Sequence, residues 1–391
     1  MICSTCVLDD DSADLTFDQG GVCNYCNDYK VYNDSLPNLN SRKSALTDVI
    51  TQIKKDGRNQ KYDCLIGLSG GIDSSFLAYL VVKEYRLRPL AVHFDNGWNT
   101  ELAVANVNNI VEGLNLDLKT FVMDWETFKD IQLSYLRASV VDIEVPTDNF
   151  IYGTMYRFAR ENKIKYILSG FNSSTEFIMP KGWNARKDDL ANIIDIHKQH
   201  GTGKIIALPK FGYKQKLFYK FFSNIKQVNP LDLICYNISE AKTILKEKLK
   251  WRDYGGKHHE SVWTRFYQGY ILPKKFNIDK RKAHLSNLIC SGQMTRQDAI
   301  AALSEEPYPK QLQDQDMEYI KSKLEISEDD FKSIMNTPIR SHSDYDSDGK
   351  KYETWSIRIT LILSILHYIV RPIHLLRYLK YRIHLKFHSD K

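Results

Sequence analysis

At 391 residues, with 43% hydrophobic residues and a net charge of +6, the chain can hold one large or two medium domains around a sizeable core. The charge is local. From Trp355 onward Arg358, Arg371, Arg377, Lys380, Arg382, Lys386 and Lys391 stand against Asp390 alone, seven positive less one negative, so everything before them sums to zero. A neutral body argues against nucleic-acid binding. The N-terminus, MICSTCVLDDD, is acidic and has no basic stretch followed by an apolar one. No cleavable signal is read, and a cytoplasmic location is expected.

Residues 1–30 form a cysteine module. Cys3-x2-Cys6 and Cys23-x2-Cys26 are two pairs sixteen residues apart, with Gly20-Gly21 to turn the chain before the second. Four thiolates in two knuckles suit a tetrahedral zinc ribbon, and with every position filled the zinc is structural. Cys64, Cys235 and Cys290 remain as ordinary small core residues. Residues 31–61 read as a linker and a helix around Ser44–Lys54.

Over 62–239 apolar strands (Tyr62–Leu68, Pro89–Phe94, Thr120–Met123, Tyr166–Ser169) alternate with helical patterns (Ser74–Glu84, Glu101–Leu114, Thr154–Glu161). That alternation predicts an α/β fold, a doubly wound parallel sheet with ligands outside the strands' carboxyl ends. The first strand runs into Ser69-Gly70-Gly71-Ile72-Asp73-Ser74-Ser75. The glycines let the backbone approach a phosphate, and amides at the helix start point at the anion. Ser69, Ser74 and Ser75 add hydroxyl donors, and Asp73 can hold Mg2+ on ATP. A Gly-Gly turn with Ser and Asp caps would look similar if shorter. The absence of a Lys-Ser/Thr ending disfavours γ-phosphate transfer.

Other segments supply the remaining candidates. Asp95, at the end of the second strand, lies where a nucleotide's ribose or adenine belongs, although Asp95-Asn96-Gly97 also reads as a turn. Val145-Pro146-Thr147-Asp148-Asn149 sets Asp148 in a loop before the Thr154 helix, as acceptor ligand or as helix cap. The fourth strand enters Gly170-Phe171-Asn172-Ser173-Ser174-Thr175-Glu176. Gly170 and Asn172 are assigned to ATP and Glu176 to Mg2+, against a plain capping box. Residues 240–335 read as mostly helical, a substrate and partner region. Within Trp251–Leu285, Lys257 and Lys274 are candidates to stabilise a leaving pyrophosphate, and His258 and Arg265 to grip the acceptor; a solvated charged face is the alternative. Residues 341–391 read as a polar linker, Ser341–Lys350, and a basic amphipathic tail. In the tail, 355–386 is expected to lie on the inner face of the cytoplasmic membrane or to dock on protein.

The loop SGGIDSS resembles the PP-loop ATPases, which split ATP between the α- and β-phosphates. Together with the Cys pairs, HFDNGW, PTDNF, SGFNSSTE and KHHESVWTRFYQGYILPKKFNIDKRKAHLS, it is similar to the N-acetyl sugar amidotransferases of lipopolysaccharide O-antigen and flagellar glycan biosynthesis, over roughly residues 1–335. The resemblance implies a PP-loop (adenine nucleotide α-hydrolase-like) sheet and an ATP-, Mg2+- and zinc-dependent enzyme. Such an enzyme turns the acetamido group of a nucleotide-activated sugar into acetamidino. Adenylation of the amide oxygen would be followed by attack of ammonia, releasing AMP and pyrophosphate. No glutaminase is visible in this chain, so the resemblance further implies a separate glutaminase subunit and a barrel-type partner that channels ammonia. Two alternatives are a tRNA-thiolating PP-loop enzyme and a non-catalytic ATP-binding scaffold at a membrane.

Overall fold

The computed structural model describes residues 1–10, 14–203 and 208–349. The tail 355–386 therefore lies outside the described residues. Among the described residues five strands, β1 (Cys64–Gly67), β2 (Pro89–Asp95), β3 (Asp117–Val122), β4 (Tyr166–Leu168) and β5 (Lys226–Val228), form one all-parallel sheet in the order β3-β2-β1-β4-β5. The central strands are apolar on both faces, as a sheet covered by helices on each side requires. The edges β3 and β5 are short or polar, which suits strands with one unpaired side.

One face packs under α2 (Leu39–Gly57), α3 (Ile72–Tyr79), α4 (Glu101–Leu114) and α10 (Ile238–Leu249), through Leu46, Ile50, Leu77, Val107, Ile110 and Leu245. The other face packs under α6 (Val145–Glu161), through Met155, Phe158 and Ala159. A third apolar cluster joins α5 (Trp125–Ala138), α8 (Leu190–His200) and the cysteine module to the later helices. Of these, α11 (Val262–Phe266), α12 (Leu272–Phe276), α13 (Arg281–Cys290), α14 (Arg296–Ser304) and α15 (Lys310–Leu324) matter below. The expected doubly wound parallel sheet with a helical C-terminal region is what forms. No helix among the described residues is long and apolar enough to cross a membrane.

The local differences have physical causes. Helix α6 starts at Val145, so 145–149 is its first turn and not a loop; Pro146 supplies a backbone that suits a helix start. Gly153 hides this continuity in the sequence, yet it is needed. A Cβ there would lie 1.5 Å from the Pro209 carbonyl oxygen. Gly153→Ala is expected to destabilise the protein by about 2 kcal/mol or more, to be read by chemical denaturation. The helix expected over Ser74–Glu84 starts at Ile72 and opens into a wide turn over Leu80–Glu84. Ser341–Tyr345, expected as part of a linker, is folded. His342 donates from Nδ1 to Asn192 Oδ1 (2.9 Å), and Tyr345 is 4% exposed with its hydroxyl donating to the Ala138 carbonyl. Cys235 is exposed and not a core residue.

Candidate active site and metal centre

The loop after β1 turns because Gly70 adopts φ +82°, with its Cα so close to α4 that a Cβ would sit 2.4 Å from the Ala103 carbonyl oxygen. Its own carbonyl accepts from Trp251 Nε1 at 2.9 Å. Asn106 in α4 brackets the Arg252 backbone at 2.8 and 2.9 Å. The segment after α10 thus clamps the loop from outside. Inside, Gly71 N donates to Ser69 Oγ (3.2 Å), Ile72 N to the Tyr254 hydroxyl (3.1 Å), and Ser69 Oγ contacts Ser74 Oγ (3.2 Å).

Asp73 lies in the first turn of α3, half-buried in the cavity wall. Its Oδ1 accepts from the Tyr236 hydroxyl (2.5 Å) and from Asn172 Nδ2 (3.3 Å). Burial raises its pKa, against the pull of nearby Lys257. Lys257 bonds Glu176 Oε1 (3.1 Å) and the Thr175 carbonyl (3.1 Å). A cation therefore pairs with one of the two carboxylates assigned to Mg2+ and lies near enough to the other to act on its charge. Gly170 abuts the loop, since a Cβ on it would lie 3.2 Å from Ser74 N.

Two cavities open here. The smaller, about 290 Å³, is lined by Ser69, Gly71, Asp73, Ser74, Gly170 and Tyr254 among others. The larger, about 530 Å³, runs from Gly67, Val92 and Phe94 at the strand ends to Glu144, Asp148, Lys187, Gln268, Lys280 and His284. They share Ser69, Ser74, Glu176, Lys257, His258 and Glu260. Glu260 is half-buried, and its buried Oε2 has no hydrogen-bond partner among the described residues. Burial works against its charge, but the His258 ring beside it holds the carboxyl below the usual carboxylate range. In the larger cavity Lys187 bonds Asp142 (2.7 Å) and Asp148 (3.0 Å), which keep it charged despite burial. Glu144 accepts from Thr264 Oγ1 (2.6 Å), and burial pushes its carboxyl up. Burial pushes the His284 imidazole well down, so the ring is neutral.

Several sequence candidates thus meet at these cavities: Ser69, Gly71, Asp73, Ser74, Gly170, Glu176, Lys257, His258 and Asp148. Others do not. Ser75 Oγ is buried behind the loop, without a partner among the described residues. Asp95 lines neither cavity and closes the turn after β2, accepting from Gly97 N (2.9 Å). Asn172 lines neither cavity and braces Asp73 while capping the Ser173–Glu176 turn. Lys274 is exposed on α12, away from both cavities. Arg265 spends its guanidinium on Asp316, two bonds of 2.8 Å. Sequence reasoning missed Tyr236, Lys187, Glu144, Lys280 and His284. Only the spacing of Lys280 and His284 on one helix turn hinted at any of them.

At the N-terminus the four sulfurs are buried and all lie within 4.8 Å of one another. The Cys3–Cys26 and Cys6–Cys23 separations are 3.9 and 3.8 Å. A tetrahedron with Zn–S of about 2.3 Å has edges of about 3.8 Å, so the donor set fits zinc. Backbone amides of Thr5, Cys6 and Cys23 donate to Cys3 Sγ at 3.3–3.4 Å, as thiolate knuckles need. Cys290, expected as a plain core residue, lies 3.6 Å from Cys26 Sγ. The module docks on α13 and α14. Arg296 donates to the Cys3 and Cys6 carbonyls (3.0 Å each), and Lys282 pairs with Asp9.

The NAD synthase family description matches residues 43–150, and that of the lipopolysaccharide biosynthesis protein WbpG-like C-terminal domain matches 260–359. These are the regions of the loop and of the basic–aromatic segment, and together they support the PP-loop amidotransferase-type resemblance drawn from the motifs. An uncharacterized protein of Methanocaldococcus jannaschii is 23% identical over 280 residues, covering 71% of this chain and 84% of its own length. Among solved structures, an NH3-dependent NAD synthetase from Campylobacter jejuni is 14% identical at TM-score 0.31, over 68% of this chain and 98% of that one. An NMN synthetase from Francisella tularensis is 20% identical at TM-score 0.27, over 34% of this chain, which spans only 56% of that protein's length.

Proposed function

We propose that this chain, a PP-loop amidotransferase type whose matched regions point to lipopolysaccharide biosynthesis, converts the acetamido group of a nucleotide-activated sugar into acetamidino. The observation that carries this reading is the meeting of two cavities at Ser69, Ser74, Glu176, Lys257, His258 and Glu260. One cavity is built of the loop's amides and hydroxyls, which suit phosphates. The other has room and paired charges for a polar acceptor.

The amide oxygen attacks the α-phosphorus of ATP, and pyrophosphate leaves. Ammonia then adds to the activated carbon, and AMP leaves with that oxygen. Lys257 offsets charge building on the departing phosphates. Asp73 and Glu176 are hard oxygen donors that fit Mg2+, which supplies further charge neutralisation when bound. Cys3, Cys6, Cys23 and Cys26 would hold zinc in a purely structural role. Ammonia comes from a glutaminase subunit through a barrel-type partner.

The test is AMP formation by the purified chain with ATP and a panel of UDP-N-acetyl sugars. Turnover is expected with ammonium at high pH and not with glutamine. Efficient glutamine use, or a requirement for tRNA in place of a sugar nucleotide, would overturn the proposal; the second outcome favours the tRNA-thiolating reading.

A further inference from the structure

The segment Tyr213–Lys226 contains Lys214, Lys216, Lys220 and Lys226 and no acidic residue. It forms a short helix over Tyr213–Phe218 and a wide turn over Tyr219–Ser223. One side is anchored: Tyr219 contacts Tyr156 at 5.0 Å and Phe211 at 6.4 Å, and Ile225 is buried. The other side is bare. Phe222 is 79% exposed and Phe218 37% exposed. The two rings stack on each other at 5.7 Å, with Arg160 at 4.9 Å from the Phe218 ring centroid. Among Lys214, Lys216, Lys220, Lys226 and Arg160, Lys216 alone has a carboxylate partner in the described residues, Asp188 at 2.6 Å.

Phe222 and the exposed part of Phe218 contribute little to the fold, and an exposed apolar patch with a polar rim marks an interaction site. The occupant must be apolar at its centre and anionic around it. The chain's own residues 355–391 are apolar but carry +6, the same sign as the patch. Nucleic acid would stack bases on open ring faces, whereas Phe218 and Phe222 each cover a face of the other.

We propose that this patch docks the protein on an anionic lipid surface. Phe218 and Phe222 enter the boundary between headgroups and acyl chains, while Lys214, Lys220 and Arg160 meet headgroup phosphates. This site is made of residues other than those of the tail and does not depend on the reaction assigned to the cavities.

Flotation of the full-length protein with vesicles decides it. Binding is expected to phosphatidylglycerol-containing vesicles and not to phosphatidylcholine alone, and it should weaken in high salt. Phe218→Ser with Phe222→Ser, and separately Lys214→Glu with Lys220→Glu, should each weaken partitioning by about tenfold or more, with thermal melts unchanged. Equal flotation of native protein and both variants overturns the proposal, as does no flotation of any. Saturable RNA binding lost in these variants, without flotation, would make the patch a nucleic-acid surface. A native dimer abolished by the Phe variants, again without flotation, would make it a self-association surface.

Discussion

Asp73→Asn is expected to lower ATP-dependent AMP formation by roughly 10²-fold or more without unfolding the protein. The substitution removes the charge and leaves an oxygen to accept from Tyr236 and Asn172, which hold Oδ1 at 2.5 and 3.3 Å. Burial already disfavours the ionised carboxyl. Neutralising it relieves a desolvation cost, so thermal stability should hold or rise. Activity and stability moving in opposite directions is what a site residue gives and a structural residue does not. Asparagine is the informative choice, because alanine would also leave the buried Tyr236 hydroxyl without its acceptor. Near-normal turnover in the asparagine variant would sink the assignment of the loop to ATP.

Cys6→Ser, or exposure to a strong chelator, is expected to lower the melting temperature by on the order of 10 °C, given the large binding free energy of structural zinc. The loss should reach beyond the N-terminus. Val7 N donates to Ser286 Oγ (3.4 Å), and Arg296 ties the Cys3 and Cys6 carbonyls to α14. Helix α13 also carries His284, a wall of the larger cavity. Acceptor binding should therefore weaken more than nucleotide binding. The control is Cys290→Ser. Its sulfur is 3.6 Å from Cys26, but four thiolates already close a tetrahedron, so one zinc per chain should remain by atomic emission. Loss of zinc in this control would show that the ligand set is wrong.

What the sequence discloses of this protein depends on whether the signal is local. Helix α4 is legible to the residue: Thr100 caps it by accepting from Ala103 N, and Asn115 ends it in the left-handed region at φ 52°. The loop is legible because strand, glycines and helix start are consecutive. Strand β5 is not, since Lys226-Gln227-Val228 has no apolar pattern and exists by pairing with β4. Lys274 is misread for a different reason. Its signal is a charge within a basic, aromatic segment, which carries no direction. Asn277 turns the chain at φ 56° after α12, so Lys280 reaches the cavity while Lys274 stays in water. Lys187 sits in an irregular stretch, and only its ion pairs with Asp142 and Asp148 bring it in. Tyr236 follows the exposed Cys235 with no motif of its own, and its role at the site exists through contact with Asp73.

The amides at the start of α3 are already engaged, Ile72 by the Tyr254 hydroxyl and Gly71 by Ser69 Oγ. An arriving phosphate therefore exchanges one acceptor for another, and the loop's preference is a difference between an anion and two hydroxyls. A neutral or weakly charged visitor gains little by that exchange. A polyanion gains charge-assisted bonds at the same amides, so discrimination is set by the competing side chains as much as by the backbone. The displaced hydroxyl belongs to the stretch that continues through Lys257 and His258 to Glu260, the residues shared by both cavities. On the proposed reading, exchange at Ile72 N frees the Tyr254 hydroxyl and so removes one tether from the stretch that lines both cavities.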